Sequence, residues 1–183
     1  MINKVVDYIN SLMDEIYYSE IDNINAGASI ISKQLNLGGK LVFFGQGHSV
    51  FVGKDVESLY DIPILALKEE ENMDNLLTHV KQEDILIITS NSGINEYVVE
   101  FARRVKEKGN KIIVLTSYKH TFNVPSRHHS LKKLYEYGDV VIDNCCVLGD
   151  AAIKDNNNYV GSYSSLANSA IVHTMINICL KKL

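Results

Sequence analysis

Three short segments of this chain carry small polar residues of the kind that hold an anion: Gly45-Gln46-Gly47-His48-Ser49, Thr89-Ser90-Asn91-Ser92-Gly93 and Thr116-Ser117. The second follows the unbroken apolar run Ile85-Leu86-Ile87-Ile88 and leads into an amphipathic pattern that starts near Asn95. A strand ending in Ser, Asn and Gly at a helix start presents backbone N–H groups and hydroxyls at a positive dipole end. That chemistry holds a phosphate dianion largely without charged side chains. Two structural readings stand beside it. The glycines at 45 and 47 serve a tight turn into a helix, and Ser92 or a neighbour caps the helix that follows. The GxG lacks the third glycine of a dinucleotide fingerprint, and no lysine is placed as in a P-loop.

Bringing these segments together requires a parallel sheet. Apolar runs at 40–44, 62–67, 85–88, 111–115 and 139–143 read as strands, and all but the second lack the polar alternation of a half-exposed sheet. Pro63 predicts an edge position for the second, because proline cannot donate to an interior ladder. Helical spacing appears between the strands at 76–80, from about 95 to 108 and at 131–137, and again at 165–180. Before the first strand, one helix is expected over 2–16 and another from about 22 to 37, stopped by Gly38-Gly39. Glu69-Glu70-Glu71 reads as a solvated loop or helix start, and 154–158 as an exposed turn. The result is an α/β three-layer sandwich with a five-stranded parallel sheet, a single domain over 1–183. Ligands of such sheets bind at the carboxyl ends of the strands, so the three polar segments should converge. The helices of 1–37 have no crossover role and are expected to contact a partner subunit.

Composition narrows the class. A chain of 183 residues with 46% hydrophobic and 22% charged residues buries a real core. A net charge of −4 argues against a nucleic-acid surface. Cys145, Cys146 and Cys179 have no disulfide-framework spacing, and no CxxC or HExxH pattern marks a metal site. No signal peptide opens the chain, and no apolar stretch reaches the roughly 20 residues of a membrane span. A cytoplasmic protein with no metal, no cofactor and no membrane contact is expected.

The pairing of Gly45–Ser49 with Thr89–Gly93 resembles the SIS (sugar isomerase) phosphosugar-binding family. The likeness continues through 111–117, Ser126-Arg127-His128-His129-Ser130, 139–144 and Gly149-Asp150-Ala151-Ala152, and covers about 23–177. Together these are similar to the branch of phosphosugar-binding proteins related to phosphoheptose isomerase. The resemblance implies a flavodoxin-like strand order and homodimers or homotetramers with pockets near subunit boundaries. It implies a sugar phosphate held at its phosphate by Ser49, Ser90 and Ser92, within a pocket formed by Gly47, His48, Asn91, Gly93, Asn95 and Thr116 or Ser117. Position 95 is often threonine in the family, and asparagine still donates and accepts. The close branch carries a further C-terminal tail; here that part of the pocket is expected to be absent or supplied by a neighbouring subunit.

Aldose–ketose isomerisation moves a proton between C1 and C2 through an enediolate, which calls for a carboxylate or imidazole base and an acid. In the resembling isomerases a Glu on the helix after the first loop and a His on the last helix have these roles. The matching positions here are Asp55 or Glu57, which stay unresolved between spacing and residue type, and His173. The structural readings are solvated acids on an amphipathic helix and a core or interface histidine. His48, in the binding loop, stays open between a part in the chemistry and hydrogen bonds to sugar hydroxyls alone. His128 and His129, beside Arg127, read as surface loop, with closure over the ligand as the alternative; Asp150 reads as a cap or loop anchor. Isomerase and non-catalytic sugar-phosphate sensor both remain open. The leader before residue 23 is too short for a helix-turn-helix domain, which lowers direct DNA binding.

Overall fold

The computed structural model describes residues 1–68 and 71–183. Five parallel strands, β1 (Leu41–Gly45), β2 (Ile64–Ala66), β3 (Ile85–Thr89), β4 (Lys111–Thr116) and β5 (Val140–Asp143), form one sheet in the order β2-β1-β3-β4-β5. Every pairing is parallel, with Phe43 opposite Ile87 and Ile87 opposite Ile113. The strand that follows Pro63 lies at the edge as expected, and the Pro63 carbonyl accepts from the Leu41 amide at 2.9 Å.

Successive side chains of a strand face opposite sides, so a sheet covered twice needs apolar residues at every position. Leu41, Phe43, Ile85, Ile87, Ile113 and Leu115 pack on one side, against α1 (Ile2–Asn36), α2 (Phe51–Leu59) and α6 (Ser164–Leu180). Val42, Phe44, Leu86, Ile88, Ile112 and Val114 pack on the other, against α3 (Met73–Thr78) and α4 (Glu96–Glu107). Among the described residues, no helix is long and apolar enough to cross a membrane.

The expected pair of N-terminal helices is one helix. α1 runs 35 residues, roughly 52 Å at the usual rise. Its buried stripe steps through Leu12, Ile16, Glu20, Ile24, Ala28 and Ile31. Glu20 occupies a core position of that stripe, and this polar residue opened the apparent gap. It is 6% exposed, accepts from Asn23 Nδ2 at 2.8 Å, and burial raises its carboxyl above the ordinary range. Gly38-Gly39 does end the helix: the Gly38 amide donates to Leu35 O and the Gly39 amide to Gln34 O, both at 3.0 Å, a paired C-terminal closure.

Other boundaries moved. α3 starts earlier than 76–80 because Asn72 caps it, accepting from the Asn75 amide at 3.0 Å. The expected helix at 131–137 is a single 3₁₀ turn, Leu134–Tyr137. A four-residue helix, α5 (Tyr118–Thr121), follows β4 where a loop was expected. The turn read at 154–158 is real at its centre but joins two short antiparallel strands, β6 (Ile153–Asp155) and β7 (Asn158–Val160). Of the acidic run, Glu69 and Glu70 lie outside the described residues; Glu71 accepts from Tyr97 Oη at 3.0 Å.

Candidate functional site

The first loop is fastened to the third strand. A side chain at Gly45 would meet Thr89 Oγ1 at 2.5 Å and Ser49 Cβ at 2.9 Å, so only glycine lets β1 end this close to β3. Across that gap Thr89 Oγ1 donates to Ser49 O at 2.9 Å. The chain then turns through a 3₁₀ segment, Gly47–Val50, into α2. This leaves the Ser49 hydroxyl beside the end of β3, with no hydrogen-bond partner among the described residues.

The second loop has its acceptors turned back and its donors forward. Ser90 O accepts from the Gly93 amide at 3.1 Å, Asn91 O from the Ser117 amide at 3.0 Å and Gly93 O from the Leu134 amide at 2.8 Å. Ser92 O accepts from Thr121 Oγ1 at 2.8 Å, and Ile94 O from the Arg127 amide at 3.1 Å. Among the described residues the amides of Asn91, Ser92 and Ile94 donate to no protein acceptor. Gly93 has φ +64°, a left-handed turn that the close Thr116 and Thr121 hydroxyls leave no room to decorate. Asn95 caps α4, its Oδ1 accepting from the amides of Tyr97 at 3.0 Å and Val98 at 3.3 Å. The cap is therefore not Ser92, and the Ser92 hydroxyl has no protein partner among the described residues.

Both loops open on one cleft of about 440 Å³. Of the residues expected to bind substrate, Gly47, His48, Ser49, Ser90, Asn91, Ser92 and Asn95 line it. Gly93 is buried behind its own loop. Thr116 and Ser117 do not reach the cleft either. Both are fully buried: Thr116 Oγ1 contacts Thr121 Oγ1 at 2.8 Å, while Ser117 Oγ donates to Cys146 O at 2.5 Å and accepts from the His120 amide at 3.1 Å. These two residues hold the second loop and cap α5. Among the described residues no lysine or arginine lines the cleft.

The expected acids and bases separate. Asp55 and His173 meet, with Asp55 Oδ2 3.1 Å from His173 Nε2 and Tyr60 Oη 2.7 Å from His173 Nδ1. Asp55 lines a neighbouring cleft of about 600 Å³, with Lys54, Ser58, Ser165 and Ser169. Its boundary with the first cleft is marked by a 3.5 Å contact of Ser165 Oγ with His48 O. Glu57 points elsewhere: its Oε1 accepts from the Ala66 amide of edge strand β2 at 3.2 Å.

Several lining residues carried no sequence signal. Ser162 comes from the segment between β7 and α6, Ser164 from the first position of α6, and His120 from α5. Asp150 is a cap, as its type indicated. It accepts from the amides of Tyr163 at 3.0 Å and Ser164 at 2.8 Å, from Ser164 Oγ at 2.7 Å and from Ser162 Oγ, closing the start of α6. His128 is buried rather than a surface residue, held between Glu100 Oε2 at 3.1 Å and Ser130 Oγ at 2.7 Å. Burial pushes the Cys145 and Cys146 thiols up to about 11 and about 12, so they stay protonated and unreactive at neutral pH. Among the described residues no group of three or more His, Cys, Asp or Glu is arranged to hold a metal ion.

Residues 67–117 match the family described as SIS domain, and the parallel sheet in the order β2-β1-β3-β4-β5, covered by helices on both faces, is that of an α/β SIS fold. The chain belongs to the UPF0309 family: it is 32% identical over 207 residues to a UPF0309 protein of Halalkalibacterium halodurans, covering 96% of this chain and 86% of that protein. Among solved structures it is similar in fold to a phosphoheptose isomerase from Francisella tularensis (TM-score 0.64, 18% identity, 98% of this chain and 98% of that one). It is also similar to the sugar isomerase domain of an RpiR transcription factor from Sphaerobacter thermophilus (0.62, 16%, 98% and 88%). A third is the NanR protein of Vibrio vulnificus complexed with ManNAc-6P (0.60, 16%, 97% and 66%).

Proposed function

We propose that this protein binds a sugar phosphate in the cleft between Ser49 and Ser92 and interconverts its aldose and ketose forms through an enediolate. The observation that carries the reading is the second loop. Its carbonyls are consumed from behind while the amides of Asn91, Ser92 and Ile94 and the Ser92 hydroxyl have no protein acceptor among the described residues. Such a surface favours an anion, and the start of α4 adds its dipole. Ser49 supplies a hydroxyl from the opposite side, and Asn95, whose Oδ1 is committed to the helix, has its amide N–H groups left for the ligand.

Asp55 and His173 are the acid–base pair in this reading. A carboxylate takes the proton from the carbon beside the carbonyl, the electron pair moves into an enediolate, and the proton returns to the neighbouring carbon. The imidazole, oriented by Tyr60, exchanges protons with the oxygens. Glu57, bonded to the sheet edge, is left out. The protein acts in the cytoplasm as a homodimer or homotetramer, with exposed Ile2, Val6, Tyr17 and Tyr18 of α1 available to a partner subunit.

A second reading, a non-catalytic sugar-phosphate sensor, is favoured by one observation: Asp55 lines the adjoining cleft and not the phosphate cleft. One experiment separates the two. Heptose, hexose and pentose phosphates are incubated with the protein in deuterated water. Solvent deuterium entering C1 or C2 supports isomerisation. Binding of several phosphates with no exchange rejects it in favour of the sensor.

A further inference from the structure

The phosphate donors occupy only one half of the cleft. Gln46–Ser49 follow β1, and Ser90–Ser92, Asn95 and Val98 follow β3, whereas His120 follows β4, Gly149 and Asp150 follow β5, and Ser162 and Ser164 lie at the start of α6. A ligand whose phosphate sits between the first two strands extends its sugar over the last two. Among the described residues the ionisable side chains on that side are His120 and Asp150. Asp150 is taken up by four donors at the start of α6.

His120 is not taken up. Its Nδ1 is sealed from solvent and has no hydrogen-bond partner among the described residues. An imidazolium would bury an unsatisfied N–H there, so the ring is held neutral with its proton on the open nitrogen, Nε2. Burial, with Arg127 in support and Asp150 opposing, also holds the ring below its ordinary range.

We propose that His120 reads the sugar end of the ligand, its Nε2–H donating to the carbonyl oxygen of an open-chain sugar phosphate. This rests on the sugar-phosphate reading of the cleft. As the proton leaves carbon, the electron pair enters the carbon–carbon bond and charge gathers on that oxygen. A fixed neutral N–H stabilises it, with no bond made or broken at His120.

The test is calorimetric titration of the intact wild type, His120→Ala, His120→Gln and Ser92→Ala. The ligands are inorganic phosphate, a hexitol phosphate lacking the carbonyl, and aldose and ketose phosphates. His120→Ala should bind the first two as the wild type does and the carbonyl-bearing phosphates about tenfold more weakly. His120→Gln, whose amide reaches the Nε2 position, should recover most of that loss. Equal affinity of wild type and His120→Ala for every sugar phosphate overturns the assignment, and the weak binding of Ser92→Ala would then show that the underlying site survives. A His120→Ala loss shared by inorganic phosphate marks a structural role and also overturns it. Failure of the wild type to bind any sugar phosphate overturns both readings.

Discussion

His173 Nε2 lies 3.1 Å from Asp55 Oδ2, a contact made across 118 residues of chain, while Tyr60 Oη holds the ring's other nitrogen at 2.7 Å. The tautomer that satisfies both has Tyr60 donating to Nδ1 and Nε2–H donating to the carboxylate. A lone helical histidine is thereby given a fixed ring plane and two proton contacts.

If that pair moves the protons, Asp55→Asn and His173→Ala should each lower turnover about 10²-fold or more, the usual range for a lost general acid or base. Tyr60→Phe, which loosens the ring without removing it, should cost less and alter the pH profile of kcat. Deuterium exchange into the sugar measures all three. Unchanged rates in both Asp55→Asn and His173→Ala would move the chemistry to another group.

Ser92→Ala removes one hydroxyl from the anion surface and leaves its backbone in place. A hydrogen bond to a charged group is worth about 1.5–3 kcal/mol, so the Kd for a phosphate ester should rise roughly tenfold to a hundredfold. The Kd for the free sugar should stay the same. Ser49→Ala should act in the same direction. Titration of ester and free sugar side by side decides it, and equal losses for both would remove the phosphate assignment.

Gly93→Ala forces a side chain into a φ of +64° with two threonine hydroxyls within 3 Å of the new carbon. The left-handed backbone alone costs about 1–2 kcal/mol, and the crowding adds to it. Urea unfolding should show at least that loss, together with weaker phosphate-ester binding because the amides of the loop are re-aimed. A variant as stable as the wild type would mean that the loop relaxes without strain.

Arg103 beside Glu100 holds its carboxyl down at about 2, with His128 assisting and burial opposing, against 4.5 for the free group. A depressed carboxylate stabilises the fold above its unfolded value and loses that contribution as pH falls through the folded one. Wild-type stability should therefore decline between about pH 4.5 and 2 more steeply than that of Glu100→Gln. Urea midpoints across that window test it; parallel curves would show that this carboxylate does not contribute. The same pair anchors the segment that carries buried His128.

What could be read directly follows from short-range physics. Four apolar runs without alternation demanded strands covered on both faces, and Pro63 demanded an edge. That the polar residues after β1 and β3 meet at one cleft was legible because the end of a strand in a parallel sheet has a defined place. The continuity of α1 was not legible. Glu20 interrupts its apolar stripe, and only the tertiary partners of that position make a carboxyl tolerable there. The β6–β7 hairpin was equally hidden, since its strands are three residues each and largely exposed.

The same division runs through the site. Residue types and spacing by themselves determined that Asp55 and Glu57, two positions apart on one helix and so roughly 200° around it, point in different directions. Which one meets His173 depends on how α2 packs against α6, and that is decided by the sheet between distant parts of the chain. Likewise, Thr116 and Ser117 read as pocket residues by type, yet the fold turns them inward to hold the loop that Ser92 presents. His120 entered the cleft because a single turn of helix follows β4. No local pattern records that placement, since a side chain's environment is set by elements that meet it in space.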